Sequence, residues 1–223
     1  MARLHVLRVF CAEDGSGGNP LGVFLDGAEI PEGRRQAVAT ELGLSETVFV
    51  EDAGRGSLRI FTPAVELAFA GHPTVGSAWL LASERAPVDA LLVPAGELGV
   101  RYDGDTAFVS ARPEWPPAFE WVQLGSPAEV EALDGPPGGH DHCGAWAWID
   151  EARGAVRARV FPIRYGIAED EATGSAAVQL CGRLGRRLEI GQGRGSRISV
   201  RPLEDGRVEL GGTCALDEVR DYS

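Results

Sequence analysis

The sequence predicts an α+β protein made of two similar copies of one unit, in each of which strands lead into a central helix. Three observations carry that reading. Arg59-Ile60-Phe61 recurs as Arg159-Val160-Phe161, 100 positions on, and Gly76-Ser77-Ala78 recurs in the same order as Gly174-Ser175-Ala176, 98 positions on, the signature of an internal duplication. Two segments of small, apolar residues, 74–83 and 172–184, each follow strand-like sequence and suit buried helices. At ~150 residues per domain, 223 residues make one large domain or two small ones. The duplication favours two, residues 1–112 and 113–223, joined at the proline-rich run Arg112-Pro113-Glu114-Trp115-Pro116-Pro117, with the last strand free to return to the first domain.

In order along the chain, Leu4–Cys11 is β-rich, Asp14–Pro20 is a glycine-rich turn and Leu21–Leu25 is a second strand. Pro31–Gly43 reads as an amphipathic helix with proline in its first turn, Ala37, Val38 and Leu42 at helical spacing and a glycine stop. Strands follow at Glu46–Val50 and Leu58–Phe61, then an apolar stretch Val65–Ala70, the Gly71-His72-Pro73 turn and the helix over 74–83. Residues 90–93, 99–102 and 107–111 complete the first copy as strands. The second copy has strands at 145–149 and 156–161, the helix over 172–184, and closing strands at 197–201 and 207–210 around an Asp205-Gly206 hairpin turn.

Composition narrows the chemistry. All 21 basic Lys+Arg positions are arginine, which removes Schiff-base catalysis and the phosphate-binding lysine of a P-loop. A net charge of −12 repels a phosphate backbone, so nucleic acid is not expected as a partner. Arg34-Arg35 and Arg186-Arg187 read as solvated helix faces. Cys11, Cys143, Cys181 and Cys214 are scattered without metal or disulfide-framework spacing. No run approaches the ~18 to 20 apolar residues that span a membrane, and residues 1–18 lack a secretory leader pattern. The expectation is a cytoplasmic protein with reduced thiols.

Polar residues gather at the start of each central helix: Gly71-His72-Pro73 in one copy, Glu169-Asp170-Glu171-Ala172-Thr173-Gly174-Ser175 in the other. A helix N-terminus presents unpaired N–H groups and roughly half a positive charge, so two such ends facing one cleft would hold a carboxylate or an enolate oxyanion. Gly18-Asn19-Pro20, Leu44-Ser45-Glu46-Thr47, Phe69-Ala70-Gly71-His72-Pro73-Thr74-Val75-Gly76 and Glu169–Ala177 together resemble the PhzF-like isomerases, which share the diaminopimelate epimerase fold. The resemblance implies two pseudo-symmetric domains, each a β-barrel-like sheet wrapped around a central helix, with the site between them. It implies catalytic roles for Glu46, His72 and Asp170, and substrate contacts for Asn19, Ser45, Gly71, Gly174 and Ser175, with no cofactor and no metal. The epimerase branch uses a pair of cysteines at the two helix starts; none of this chain's cysteines stands there, so two-thiol epimerisation is disfavoured.

Two clusters compete for attention. His140-Asp141-His142-Cys143 has metal-ligand residue types, but it follows Gly135–Gly139 and reads as a loop without metal. Gly191-Gln192-Gly193-Arg194-Gly195-Ser196 has the look of a phosphate loop without its lysine, and resembles a shortened Gln-Gly…Arg-Pro-Ser segment of the family. The function expected is therefore isomerisation of a small carboxylate-bearing substrate, Glu46 taking a proton and redelivering it to shift a double bond. C–C bond hydrolysis of a ring-opened amino-acid derivative, as ascribed to some relatives, and a small-molecule-binding role without turnover stay open. A homodimer without membrane attachment is the expected assembly.

Overall fold

The computed structural model describes residues 2–222. Its first half opens with the antiparallel pair β1 (Arg3–Cys11) and β2 (Gly17–Phe24). Helix α1 (Glu32–Leu42), stopped by Gly43 in the left-handed conformation, carries the chain to β3 (Glu46–Asp52), which lies parallel to β2. Strand β4 (Ser57–Phe61) returns antiparallel to β3, and the short β5 (Glu66–Leu67) folds against it. Helix α2 (Gly71–Glu84) crosses to β6 (Ala90–Val93), parallel to β4, and β7 (Gly96–Asp103) and β8 (Thr106–Ala111) follow antiparallel.

The second half repeats that order of pairings. Strand β9 (Glu120–Gln123), the short helix α3 (Pro127–Glu131) and parallel β10 (Cys143–Asp150) precede antiparallel β11 (Ala155–Phe161). Helix α4 (Gly174–Leu184) crosses to β12 (Leu188–Gln192), parallel to β11, and β13 (Ser196–Pro202) returns antiparallel. Arg59–Phe61 and Arg159–Phe161 fall at the ends of the equivalent strands β4 and β11. The Gly-Ser-Ala match is displaced, because Gly76 lies in the second turn of α2 whereas Gly174 begins α4. The residue of the first half that stands where Gly174 stands is Gly71.

Strand β14 (Val208–Asp221) ties the halves together. Its first residues pair with β13 and β8, and the remainder with β1. That second pairing closes β1-β2-β3-β4-β6-β7-β8-β14 into an eight-stranded barrel, while β14-β13-β12-β11-β10-β9 stays open at β9. Where β14 passes from one half to the other, β1 carries a bulge at Phe10, a fully buried residue held at φ 71°.

Helix α2 is buried from Gly71 through Ala78 and again at Leu80 and Leu81, as its small apolar sequence predicts. Val75, Leu80 and Leu81 from α2 and Val178 and Leu180 from α4 belong to one continuous apolar core. A smaller cluster under α1 is built on stacked Phe24 and Phe49, with ring centroids 5.3 Å apart. No helix among the described residues is long and apolar enough to cross a membrane.

Local expectations are corrected at several points. Strand β2 starts at Gly17, inside the segment read as a turn, and α2 starts at Gly71, so His72-Pro73 is its first turn rather than a lead-in. Arg35 is not on a solvated face: it is 4% exposed, donates to the Ile30 carbonyl and pairs with Glu51 at 2.8 Å. Ala37, expected inward, is exposed instead. Arg186 and Arg187 lie beyond the end of α4, where Arg187 pairs with Glu189. All four cysteines are buried and unpaired.

Candidate active site

Glu46 is the first residue of β3, set beside the middle of β2 by the parallel register that places it opposite Leu21. Its side chain is 13% exposed. It lines a cavity of about 70 Å³ with Thr62 and Phe69 of the first half and Asp170, Thr173 and Ser175 of the second. Small-molecule sites usually enclose ~300–1,000 Å³, so the cavity in this structure is smaller than a typical ligand site.

His72, on the first turn of α2, puts its Nε2 3.3 Å from Glu46 Oε2. Both atoms are buried, and neither has a hydrogen bond of acceptable geometry. Burial pushes the imidazole down to about 3, with a hydrogen bond to the Pro20 carbonyl opposing the shift. A neutral ring that donates to a carbonyl carries its one hydrogen on that nitrogen; the unpartnered Nε2 therefore faces Glu46 with a lone pair. Burial also pushes Glu46 up to about 8, the negative charge of Asp170 adding to the effect and Ser45 opposing it. A protonated carboxyl matches a lone pair and an ionised one is repelled by it, so the pair holds its proton on Glu46 at neutral pH.

Asp170 is treated differently. Burial raises its pKa, but hydrogen bonds from Thr173 and Asn19 oppose the rise. Asn19 Nδ2 donates to Asp170 Oδ1 at 2.8 Å, and Thr173 Oγ1 donates to Oδ2 at 2.6 Å. The backbone of Asp170 is fixed by a bond from its N–H to the Val160 carbonyl.

The two helix starts abut at the base of the site. A Cβ added to Gly71 would lie 2.5 Å from the backbone of Gly174, and one added to Gly174 would lie 3.0 Å from Gly71. Only glycine at both positions permits that approach. The free N–H groups of two helix N-termini therefore converge, although Pro73 removes one donor from α2. Ser175 stands on the first turn of α4 and lines the cavity.

The sequence-predicted residues thus divide into two sets. Glu46, Asp170 and Ser175 line the cavity, His72 stands against Glu46, and Gly71 and Gly174 meet beside the lining residues Ala70, Thr173 and Ser175. Asn19 and Ser45 stand behind the cavity: Asn19 is 2% exposed, its amide nitrogen is spent on Asp170 and the Ala172 carbonyl, and its oxygen accepts from Ser45 Oγ at 3.1 Å. Ser45 Oγ also lies 3.0 Å from the Pro20 carbonyl. Both are placed to orient Asp170 and the strand end.

Sequence reasoning passed over Gln192 and His142. Gln192, buried at the end of β12, donates to the Asp170 carbonyl and to Thr173 Oγ1, each at 2.9 Å, and its Oε1 accepts from Thr173 N–H. The glycine-rich segment is thus a strand end and a turn that brace the approach to α4. Ser196, at its far end, accepts from Gly18 N–H and donates to Glu171, joining the two halves. The signals for Gln192 are an uncharged polar residue closing an apolar strand and the likeness of its segment to the family's Gln-Gly…Arg-Pro-Ser run.

In the other cluster the side chains diverge. Asp141 pairs with Arg164, Cys143 is buried, and His142 turns into the cavity wall. Among the described residues no group of three His, Cys, Asp or Glu side chains is placed to hold a metal ion.

Comparison with known proteins fits this geometry. The profile of the PhzC-PhzF family, phenazine biosynthesis-like proteins, matches residues 7–134. Trans-2,3-dihydro-3-hydroxyanthranilate isomerase of Pseudomonas aeruginosa is 31% identical over 93% of this chain and 88% of its own. The enzyme of the same name from Pseudomonas fluorescens is 30% identical over 86% and 83%. A PhzC/PhzF protein from Clostridium difficile superposes over the full length of both chains with a TM-score of 0.79 at 23% identity. A probable proline racemase from Agrobacterium radiobacter superposes at 0.62 and 11% identity, over 100% of this chain and 93% of its own, which is a likeness of fold alone. The chain belongs to the phenazine biosynthesis-like PhzC-PhzF family and is an isomerase of that family.

Proposed function

We propose that this isomerase works without a cofactor on a small, cyclic, carboxylate-bearing substrate of the trans-2,3-dihydro-3-hydroxyanthranilate type, with Glu46 as its acid and base. The observation that carries the reading is Glu46 itself, a largely buried carboxyl in the cavity wall, held near pKa 8 and facing an unprotonated imidazole nitrogen at 3.3 Å. A group poised near the working pH both takes and returns a proton.

The substrate carboxylate sits against the converging N-termini of α2 and α4, where backbone N–H groups and Ser175 receive it. Ionised Glu46 removes a proton from an activated carbon, and charge that develops on the substrate is held by the same helix ends. His72 Nε2 accepts from the newly formed Glu46 O–H and holds that group in place while its proton exchanges with solvent. Glu46 then gives a proton to another carbon on the same face, which moves the double bond. Asp170, oriented by Asn19 and Thr173, presents its remaining acceptor capacity to a substrate N–H or O–H. Four buried, unpaired cysteines fit a reducing cytoplasm.

The test is turnover of trans-2,3-dihydro-3-hydroxyanthranilate in heavy water. The wild type is expected to isomerise it with solvent deuterium entering a ring carbon, and Glu46→Gln to lose about 10³-fold or more in kcat. Full turnover by Glu46→Gln would remove the assignment.

A further inference from the structure

We infer that His142 is a specificity-determining residue of this site, its Nε2 accepting a hydrogen bond from a hydroxyl or amine on the ring of a cyclic carboxylate substrate. The inference rests on the function proposed above for the identity of the site, and adds a recognition group outside the helix ends and the Glu46–His72 pair.

The imidazole is 2% exposed and forms part of the wall of the cavity that holds Glu46, Asp170 and Ser175. Its Nδ1 lies 2.9 Å from the Ala118 carbonyl. A carbonyl only accepts, so Nδ1 carries the hydrogen and Nε2 is left as a bare acceptor. Burial lowers the affinity of the ring for a second proton, and Arg164 lowers it further, while the Ala118 carbonyl and Asp141 act in the opposite sense.

The ring is also held against rotation. It stacks on Phe119 with centroids 3.8 Å apart and planes 26° apart, and meets Tyr165 edge-on at 5.4 Å. Phe119 and Tyr165 line the cavity as well, so the acceptor is set in an aromatic wall suited to a flat or half-flat ring. An acceptor fixed in a dry wall rejects a ligand that brings no donor far more strongly than a pliable polar group would.

The test measures binding, so it does not depend on turnover. Calorimetry gives the affinities of benzoate, anthranilate and 3-hydroxybenzoate for the wild type, His142→Phe and His142→Gln. The wild type is expected to bind at least one of the two donor-bearing ligands about 10-fold more tightly than benzoate, and which one shows whether the amine or the hydroxyl is read. Phenylalanine keeps the stack on Phe119 but has no acceptor, so His142→Phe is expected to bind all three within about 2-fold of each other with benzoate unchanged. Glutamine returns an acceptor, and His142→Gln is expected to recover part of the preference. Equal affinities in the wild type, a preference that survives in His142→Phe, a parallel loss for all three ligands, or no recovery in His142→Gln would each overturn the role of His142. Failure of the wild type to bind any of the three would overturn the reading of the site as a carboxylate site, and the role of His142 with it.

Discussion

The two halves are built to one plan and finished differently. In the first, β14 pairs with β1 and closes eight strands around α2; in the second, the sheet around α4 ends at β9 with no strand to close it. The carboxyl that each half contributes follows the same division. Glu46 of the closed half has a buried Oε2 without a donor and faces a lone pair, whereas Asp170 of the open half receives donors from Asn19 and Thr173. One carboxyl is thereby held near pKa 8 and the other is braced as a charged or hydrogen-bonding group. Burial raises the pKa of both carboxyls, and at Asp170 hydrogen bonds from Thr173 and Asn19 oppose the rise; this difference in bracing runs between the halves.

Titration of stability tests that contrast with the largest effects. Glu46 has a folded pKa of about 8 against 4.5 for the free group, so its protonated form is the one the fold favours. Its contribution is intact below pH 4.5 and is lost as pH rises to about 8. Glu46→Gln, which cannot ionise, should be no more stable than wild type near pH 4 and more stable above pH 8, by roughly 3–5 kcal/mol on conversion of the shift to free energy. His72 works in the other direction. With a folded pKa of about 3 against 6.5, it favours the neutral form, and its contribution is lost as pH falls from 6.5 towards 3. His72→Gln should flatten that acid limb in denaturant titrations. A variant-minus-wild-type difference that is constant with pH would contradict either assignment.

The joint between the halves comes next. Gly71→Ala drives a Cβ to 2.5 Å from the backbone of Gly174, which no rotamer relieves. It should cost about 3 kcal/mol or more and separate the helix ends proposed to receive the substrate carboxylate. Gly76→Ala in the next turn meets only the side-chain tips of Leu21 and Val9, and should cost less. Equal losses in the two variants would mean that the Gly71–Gly174 contact is ordinary packing.

The smallest effect is expected behind Asp170. Asn19→Ala and Gln192→Leu each remove three bracing hydrogen bonds without touching the cavity, one of them to Asp170, and each should lower kcat/KM by about 10-fold through loss of that one bond, in line with ~1–1.5 kcal/mol. The effect should fall on KM more than on kcat, because Asp170 is assigned to binding and Glu46 to proton transfer. A kcat loss as large as that of Glu46→Gln would reverse the assignment of the two carboxyls.

These distinctions were unequally legible in the sequence. The buried character of α2 is written in its lack of charge between Thr74 and Ser83, and the strand repeat in Arg59–Phe61 and Arg159–Phe161. The meeting of Glu46 with His72 is not written locally: it needs the parallel β2–β3 register and the crossing of α2 beneath it. His72-Pro73 reads as a turn because proline suits either a turn or a helix start, and only packing against Gly174 decides. Gln192 was hidden among glycines, since one amide at a strand end has no periodic signature. An arginine pair on a helix reads as solvated, but Glu51 and the Ile30 carbonyl, on neighbouring elements, draw Arg35 inside. The unequal closure of the halves is equally invisible locally, because one long strand at the end of the chain supplies it.

The proposed chemistry turns on a Glu46 that holds its proton at neutral pH and is poised to exchange it. Carbon NMR of the wild type with glutamate labelled at the side-chain carboxyl, the Glu46 signal assigned by its loss in Glu46→Gln, reads that property directly. The expected result is a Glu46 titration centred at about pH 8. A Glu46 carboxyl that ionises at an ordinary pKa of about 4–5 would contradict it.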